Sequence, residues 1–123
     1  MSDPRKVLGR EAEQVAERYL QRKGYRILER NLRSAQGELD LVAEQGGSVV
    51  FLEVKSRRGG GEFDPGESIH RRKQERLARL AAGYLQRHPE HAERSCRFDA
   101  VLVWKIGPFW RVELVIDAFR PGW

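Results

Sequence analysis

With 123 residues, 40% of them hydrophobic and 33% charged, the chain has the length of one domain (residues 1–123) and the make-up of a soluble globular protein, which excludes disorder over most of its length. Cys96 is its only cysteine, so an internal disulfide is excluded and a thiolate zinc site has nothing to build on. The net charge of +5 favours anionic partners, and with neither a secretion-type apolar core nor a bilayer-length run, a cytoplasmic protein that touches no membrane is expected.

From residue 9 to 23, Ala12, Val15, Ala16, Tyr19 and Leu20 recur at the spacing of one helical face, and Gly24 terminates the pattern. Residues 25–30 alternate as a strand. Residues 39–44 and 48–55 are two β-rich runs around Gln45-Gly46-Gly47, and paired glycines supply the positive φ values of a tight hairpin turn. Residues 56–66, with Gly59-Gly60-Gly61 and Pro65, read as a mobile loop. A second helix is expected over 69–87, with Ile69, Leu77, Leu80, Ala81, Tyr84 and Leu85 on its apolar side, ending before Pro89. Two further strands, 97–104 and 109–116, complete the order α-β-β-β-α-β-β. The compact arrangement is an α/β fold in which a central mixed sheet is packed by both helices.

Charge is unevenly placed. Acidic residues gather in 11–17 and 38–53, whereas Arg57, Arg58, Arg71, Arg72, Lys73, Arg76 and Arg79 crowd the middle of the chain. On a strand Glu53 and Lys55 share a face, a pattern that a solvated surface also produces. A two-residue turn at Gly46-Gly47 sets Asp40 opposite Glu53 and Glu38 opposite Lys55. Like charges directly across a ladder destabilise it, and two carboxylates that converge there can instead share a divalent cation. In this register Leu39, Leu41, Ala43, Val50, Leu52 and Val54 form the core face, with Val42 and Phe51 beside the acids on the other. Stepping about 100° per residue along the first helix, Glu13 falls within the apolar stripe and Glu11 outside it, although a residue at the stripe's margin can also reach solvent.

This order, a helix with an inward Glu, an Asp on the first hairpin strand and Glu-x-Lys on the next, resembles the PD-(D/E)xK nuclease superfamily. It is most similar to the YraN family of bacterial proteins, relatives of archaeal Holliday junction resolvases. The segments that carry the resemblance are Gly9-Arg10-x-x-Glu13-x-x-Ala16-x-x-Tyr19-Leu20, Gly24-Tyr25, Asn31, Gly37-Glu38-Leu39-Asp40-Leu41, Phe51-Leu52-Glu53-Val54-Lys55-Ser56-Arg57, Arg72-Lys73-Gln74 and Arg97-Phe98-Asp99. Two departures are Ala12, where the family tends to have Gly, and Asp117-Ala118-Phe119, where it tends to have Asn-Ala-Phe.

The resemblance implies a restriction-endonuclease-like core in which Asp40, Glu53 and Lys55 are catalytic. Asp40 and Glu53 would hold Mg²⁺ or Mn²⁺, with the Val54 carbonyl and Glu13 as further ligands, and Lys55 would position water or stabilise the transition state. The implied activity is a metal-dependent endonuclease acting on DNA, including branched or recombination intermediates. The alternatives are a non-enzymatic DNA-binding accessory in recombination or DNA uptake, and a basic surface that docks protein or RNA. Arg57, Arg58, Arg72 and Lys73 are candidate phosphate contacts, since such contacts position without reading sequence; a charged helix face is also commonly just solvated. Glu38 is read as a structural ion-pair partner of Lys55, and Trp104 and Trp110 as packing residues rather than base-stacking ones. A homodimer is suggested by the resolvase resemblance.

Overall fold

A computed structural model describes residues 3–35, 37–63 and 71–120. The elements run α1 (Pro4–Arg22), β1 (Arg26–Ser34), β2 (Gly37–Gln45), β3 (Ser48–Arg58), α2 (Arg71–Arg87), β4 (Cys96–Ile106) and β5 (Phe109–Phe119), with one 3₁₀ turn at Pro89–His91. The five strands form one mixed sheet in the order β1-β2-β3-β4-β5. β1, β2 and β3 are antiparallel neighbours, α2 carries the chain over to β4, which lies parallel to β3, and β5 returns antiparallel. This is the expected α/β architecture, with every element in the expected order.

Several elements are longer than the hydrophobic pattern predicts. α1 begins at Pro4 rather than residue 9 because Asp3 caps it, its carboxylate accepting the Arg5 N–H at 3.0 Å, with proline at the first helical position. β3 continues through Arg58, into the segment expected to be loop, because β4 pairs with it as far as Arg58↔Lys105. The expected helix residue Ile69, and Pro65, Gly66 and Trp123, lie outside the described residues.

Both faces of the sheet are core. α1 presents Ala12, Ala16 and Leu20 to Leu41, Ala43, Val50, Leu52, Val101 and Val103. α2 presents Leu77, Leu80, Ala81 and Tyr84 to Leu32, Leu39, Val42, Val49, Phe51 and Phe98. The reading that gave the hairpin one core face and one acidic face is therefore corrected, since Val42 and Phe51 are 0% exposed beneath α2. Burial on both faces is what a strand with a parallel neighbour requires, because the crossover helix covers the second face.

Leu39 also changes sides. It packs under α2 whereas Leu41, two residues on, packs under α1, so β2 turns over at Asp40. The neighbouring strand does the same at Asn31, which has φ 53 and lies between the pairs Arg30↔Leu41 and Leu32↔Leu39. A left-handed residue, tolerated by Asn, breaks the two-residue alternation of a strand.

Candidate active site

The Gly46-Gly47 turn has φ 57 and 83 and is closed by Gln45↔Ser48, the type I′ geometry expected of a two-residue hairpin. The ladder then runs to Leu41↔Leu52 in the expected register. Beyond it the described pairing stops, and Asp40 and Glu53 are not an ordinary ladder pair. Asp40 Oδ2 instead accepts the Val54 N–H at 2.7 Å, a donor that an antiparallel ladder would have given to a backbone carbonyl. The turnover at Asp40 aims this carboxylate along the gap between β2 and β3.

Glu13, half-buried on α1, meets Asp40 there and is hydrogen-bonded to it. Burial pushes the Asp40 carboxyl up to about 7; the Val54 N–H opposes the rise, and the charges of Glu13, Glu53 and Glu38 add to it. Glu13 is raised as well, first by burial and then by Glu38, with the Asp40 hydrogen bond and Arg33 pulling it down. Glu38 faces Arg33 across the β1–β2 ladder, with an ion pair of 3.6 Å.

Glu53 is held differently. Its side chain is 12% exposed and forms an ion pair with Lys73 of α2 through Oε1, while Oε2 is buried without a hydrogen-bond partner. Lys55 is half-buried two residues further along β3, in register with Leu102 of β4. The structure thus gathers Glu13, Asp40, Val54 and Glu53 at the end of the β2–β3 ladder, although among the described residues no set of three or more acidic, His or Cys side chains is closed tightly enough to hold a metal ion. The donor chemistry does fit a hard cation: carboxylate oxygens and a strand carbonyl, one oxygen without a partner, and acids whose mutual repulsion a cation would relieve.

The four candidate phosphate contacts separate. Arg58 and Arg72 are exposed. Arg57 folds back on the following loop, donating to the Glu62 carbonyl and lying 6.0 Å from the Phe63 ring, and Lys73 is engaged by Glu53. Trp104 and Trp110 are packing residues, as expected: Trp104 is 5% exposed and donates to the Gly61 carbonyl at 2.6 Å, and Trp110 packs against the α1-side core.

Two clefts flank the acids. One of about 370 Å³ is lined by Arg10, Glu13, Gln14, Glu17, Arg30, Asn31 and Asp40. The other, of about 180 Å³, is lined by Gly37, Glu38, Lys73 and Arg76 before it reaches the apolar side of α2. Arg10 and Gln14 were not singled out as site residues from the sequence, though Arg10, three residues before Glu13, lies next to it on the helix surface; Arg76 was weighed there only as one of the basic residues of the second helix. A larger hollow, about 490 Å³, lies at the other end of the sheet around Ser48, Arg97 and Asp117, far along β3 from the acids.

Residues 12–103 match the model of the uncharacterised protein family UPF0102. The chain belongs to this family. It is 47% identical over 118 residues to a UPF0102 protein of Magnetococcus marinus, covering 96% of this chain and 95% of that relative. A UPF0102 protein of Symbiobacterium thermophilum is 46% identical over 115 residues, covering 92% and 96%, and one of Frankia alni is 48% identical over 115 residues, covering 92% and 94%. UPF0102 is the YraN family of the sequence resemblance, and Glu13, Asp40, Glu53, Lys55, Arg72 and Lys73 all fall inside the matched segment. No helix among the described residues of this UPF0102 chain is long and apolar enough to cross a membrane.

Proposed function

We propose that this UPF0102 protein is a metal-dependent endonuclease that hydrolyses phosphodiester bonds in DNA, with branched intermediates among its substrates. The observation that carries the reading is the pair of carboxylates at the end of the β2–β3 ladder: Asp40, raised to about 7 by burial and by neighbouring acids, and Glu53, with one oxygen buried and unpartnered. Stability alone does not account for such a pair, because each buried acid makes the other more costly to ionise.

Asp40, Glu53 and the Val54 carbonyl would hold Mg²⁺ or Mn²⁺, with Glu13 as a further ligand. A bound divalent cation supplies a more acidic water and neutralises charge that builds on a phosphate oxygen. Asp40 is fixed for this by the Val54 N–H. Glu53 would exchange Lys73 for the cation, which leaves the Lys73 ammonium beside the acids to meet a phosphate. Lys55, on the Glu53 face of β3, would orient the attacking water and stabilise the transition state. Arg58 and Arg72 would contact backbone phosphates to either side.

The test is a panel of labelled linear, flapped and four-way DNA incubated with Mg²⁺ or Mn²⁺, with Asp40→Ala as control. Cleavage of at least one substrate by wild type only is the expected result. Binding without cleavage of any substrate by either metal would favour a DNA-binding accessory that keeps a nuclease fold.

A further inference from the structure

One side of the cleft of about 370 Å³ beside Asp40 is a single face of α1, where Arg10, Glu13, Gln14 and Glu17 follow one another at i, i+3, i+4 and i+7. Arg30 and Asn31 of β1 and Asp40 of β2 line the other side. The charges of this cleft are unequally committed. Glu17 grips Arg30, its two carboxylate oxygens accepting from Nε at 3.0 and 2.9 Å, so that pair is neutral within itself. Glu13 is hydrogen-bonded to Asp40, and the cation that draws its carboxyl down is Arg33.

Arg10 is left over. It is exposed, and its guanidinium has neither an ion pair nor a hydrogen bond among the described residues. The positions four residues before and after it, where a helix pairs opposite charges, hold Lys6 and Gln14, so holding α1 together does not explain its charge. The side-chain amides of Gln14 and Asn31 are exposed as well and have no partner among the described residues. One uncommitted cation and two amides able to donate thus stand in the same cleft as Glu13 and Asp40. Such donors, and a planar guanidinium above all, suit the oxygens of a phosphate. A DNA strand brought to Asp40 and Glu53 carries a negative charge on each nucleotide that passes Glu13, and Arg10 offsets it there.

We propose that Arg10, helped by Gln14 and Asn31, binds the phosphate next to the scissile one, so that the substrate strand leaves the acids through the cleft between α1 and β1. The proposal rests on the nuclease reading above and adds which phosphate is gripped and by which side chains. Arg10 stands three residues from Glu13, about 4.5 Å along the helix axis. Its side chain therefore serves a different phosphate from the one at Asp40 and Glu53, yet a neighbouring one.

The cleavage position on the best DNA substrate is first mapped in Mn²⁺. Binding is then measured in Ca²⁺, so that it is read apart from turnover, with the phosphate on either side of the scissile one replaced in turn by an uncharged methylphosphonate. A methylphosphonate at a distant position is the control. Arg10→Ala is expected to weaken binding of the unmodified and control substrates roughly tenfold and to lower the salt slope by about 1. On one of the two neighbouring methylphosphonates it should lose nothing further, because the partner of Arg10 has already been removed. Arg10→Lys should keep the salt slope. Wild-type affinity in Arg10→Ala would overturn the proposal, as would an equal loss on all the substrates, which would place the contact elsewhere. An Arg10→Ala protein that melts below wild type without metal or DNA would overturn it too, by assigning the guanidinium to the fold. Wild type that cleaves no substrate would remove the nuclease reading, and this contact with it; cleavage by wild type with binding unaffected by Arg10→Ala would remove the contact alone.

Discussion

Asp40 is subject to opposed demands: burial above all, and then three neighbouring acids, disfavour its anion, while a backbone N–H favours it. Its folded pKa lies above the ordinary carboxylate value, so the native protein binds a proton there more tightly than the unfolded chain does. The resulting stability is fully present below the ordinary value, near 3.8, and is lost as the pH rises towards about 7. In a chelator, wild type should therefore lose stability relative to Asp40→Asn between pH 4 and 8, by an amount on the order of 4 kcal/mol, because Asn keeps an acceptor for the Val54 N–H without the charge. Mn²⁺ should reverse the order by stabilising wild type alone; thermal melts of both proteins with and without metal check this. The approach of Asp40 to Glu53 was legible in the sequence because Gly46-Gly47 fixes the hairpin register. The ion pair of Lys73 with Glu53 was not, nor the folding back of Arg57 onto the Glu62 carbonyl, because long cationic side chains choose partners across elements whose packing no local pattern encodes.

At the scale of elements, α2 delivers Lys73 to the acid cluster and β4 anchors the opposite end of the sheet. Removing a cation beside a candidate cation site should strengthen metal binding, so Lys73→Met is expected to bind Mn²⁺ several-fold more tightly than wild type by calorimetry, a modest gain for an ion pair that is partly exposed. In β4, Asp99 is 1% exposed and accepts hydrogen bonds from Tyr25 Oη at 2.9 Å, Arg97 Nε at 3.1 Å and the Asp117 N–H at 2.9 Å. Asp99→Ala should cost about 3 kcal/mol, since it leaves Arg97 half-buried without its counter-charge; urea unfolding measures it. The departure at Asp117 fits the same corner. That residue has φ 57, a conformation that Asp and Asn both tolerate, and its N–H closes the network. Helices and strands were readable from periodicity, while their ends were set by contacts with other elements, the cap at Asp3 and the β4 pairing that carries β3 to Arg58.

The whole molecule is a sheet buried on both faces whose acids emerge where β2 and β3 part. Alternation within the hairpin suggested one buried face, and the second became visible only once α2 was placed over Val42, Val49 and Phe51. Exposed cations on β3 and α2 set the scale of DNA binding: Arg58→Ala and Arg72→Ala should each weaken duplex binding irrespective of sequence, and each should reduce the salt slope by about 1 if it neutralises one phosphate. Arg57→Ala should change that slope little, because its guanidinium is turned into the loop. The most direct test of the nuclease reading is single-turnover cleavage of the best DNA substrate at saturating Mn²⁺ by wild type, Lys55→Ala and Asp40→Asn. The account expects Lys55→Ala to bind metal and DNA as wild type does yet cleave on the order of a hundredfold to a thousandfold more slowly, and Asp40→Asn to lose both Mn²⁺ affinity and cleavage. Wild-type rates in both variants would contradict it.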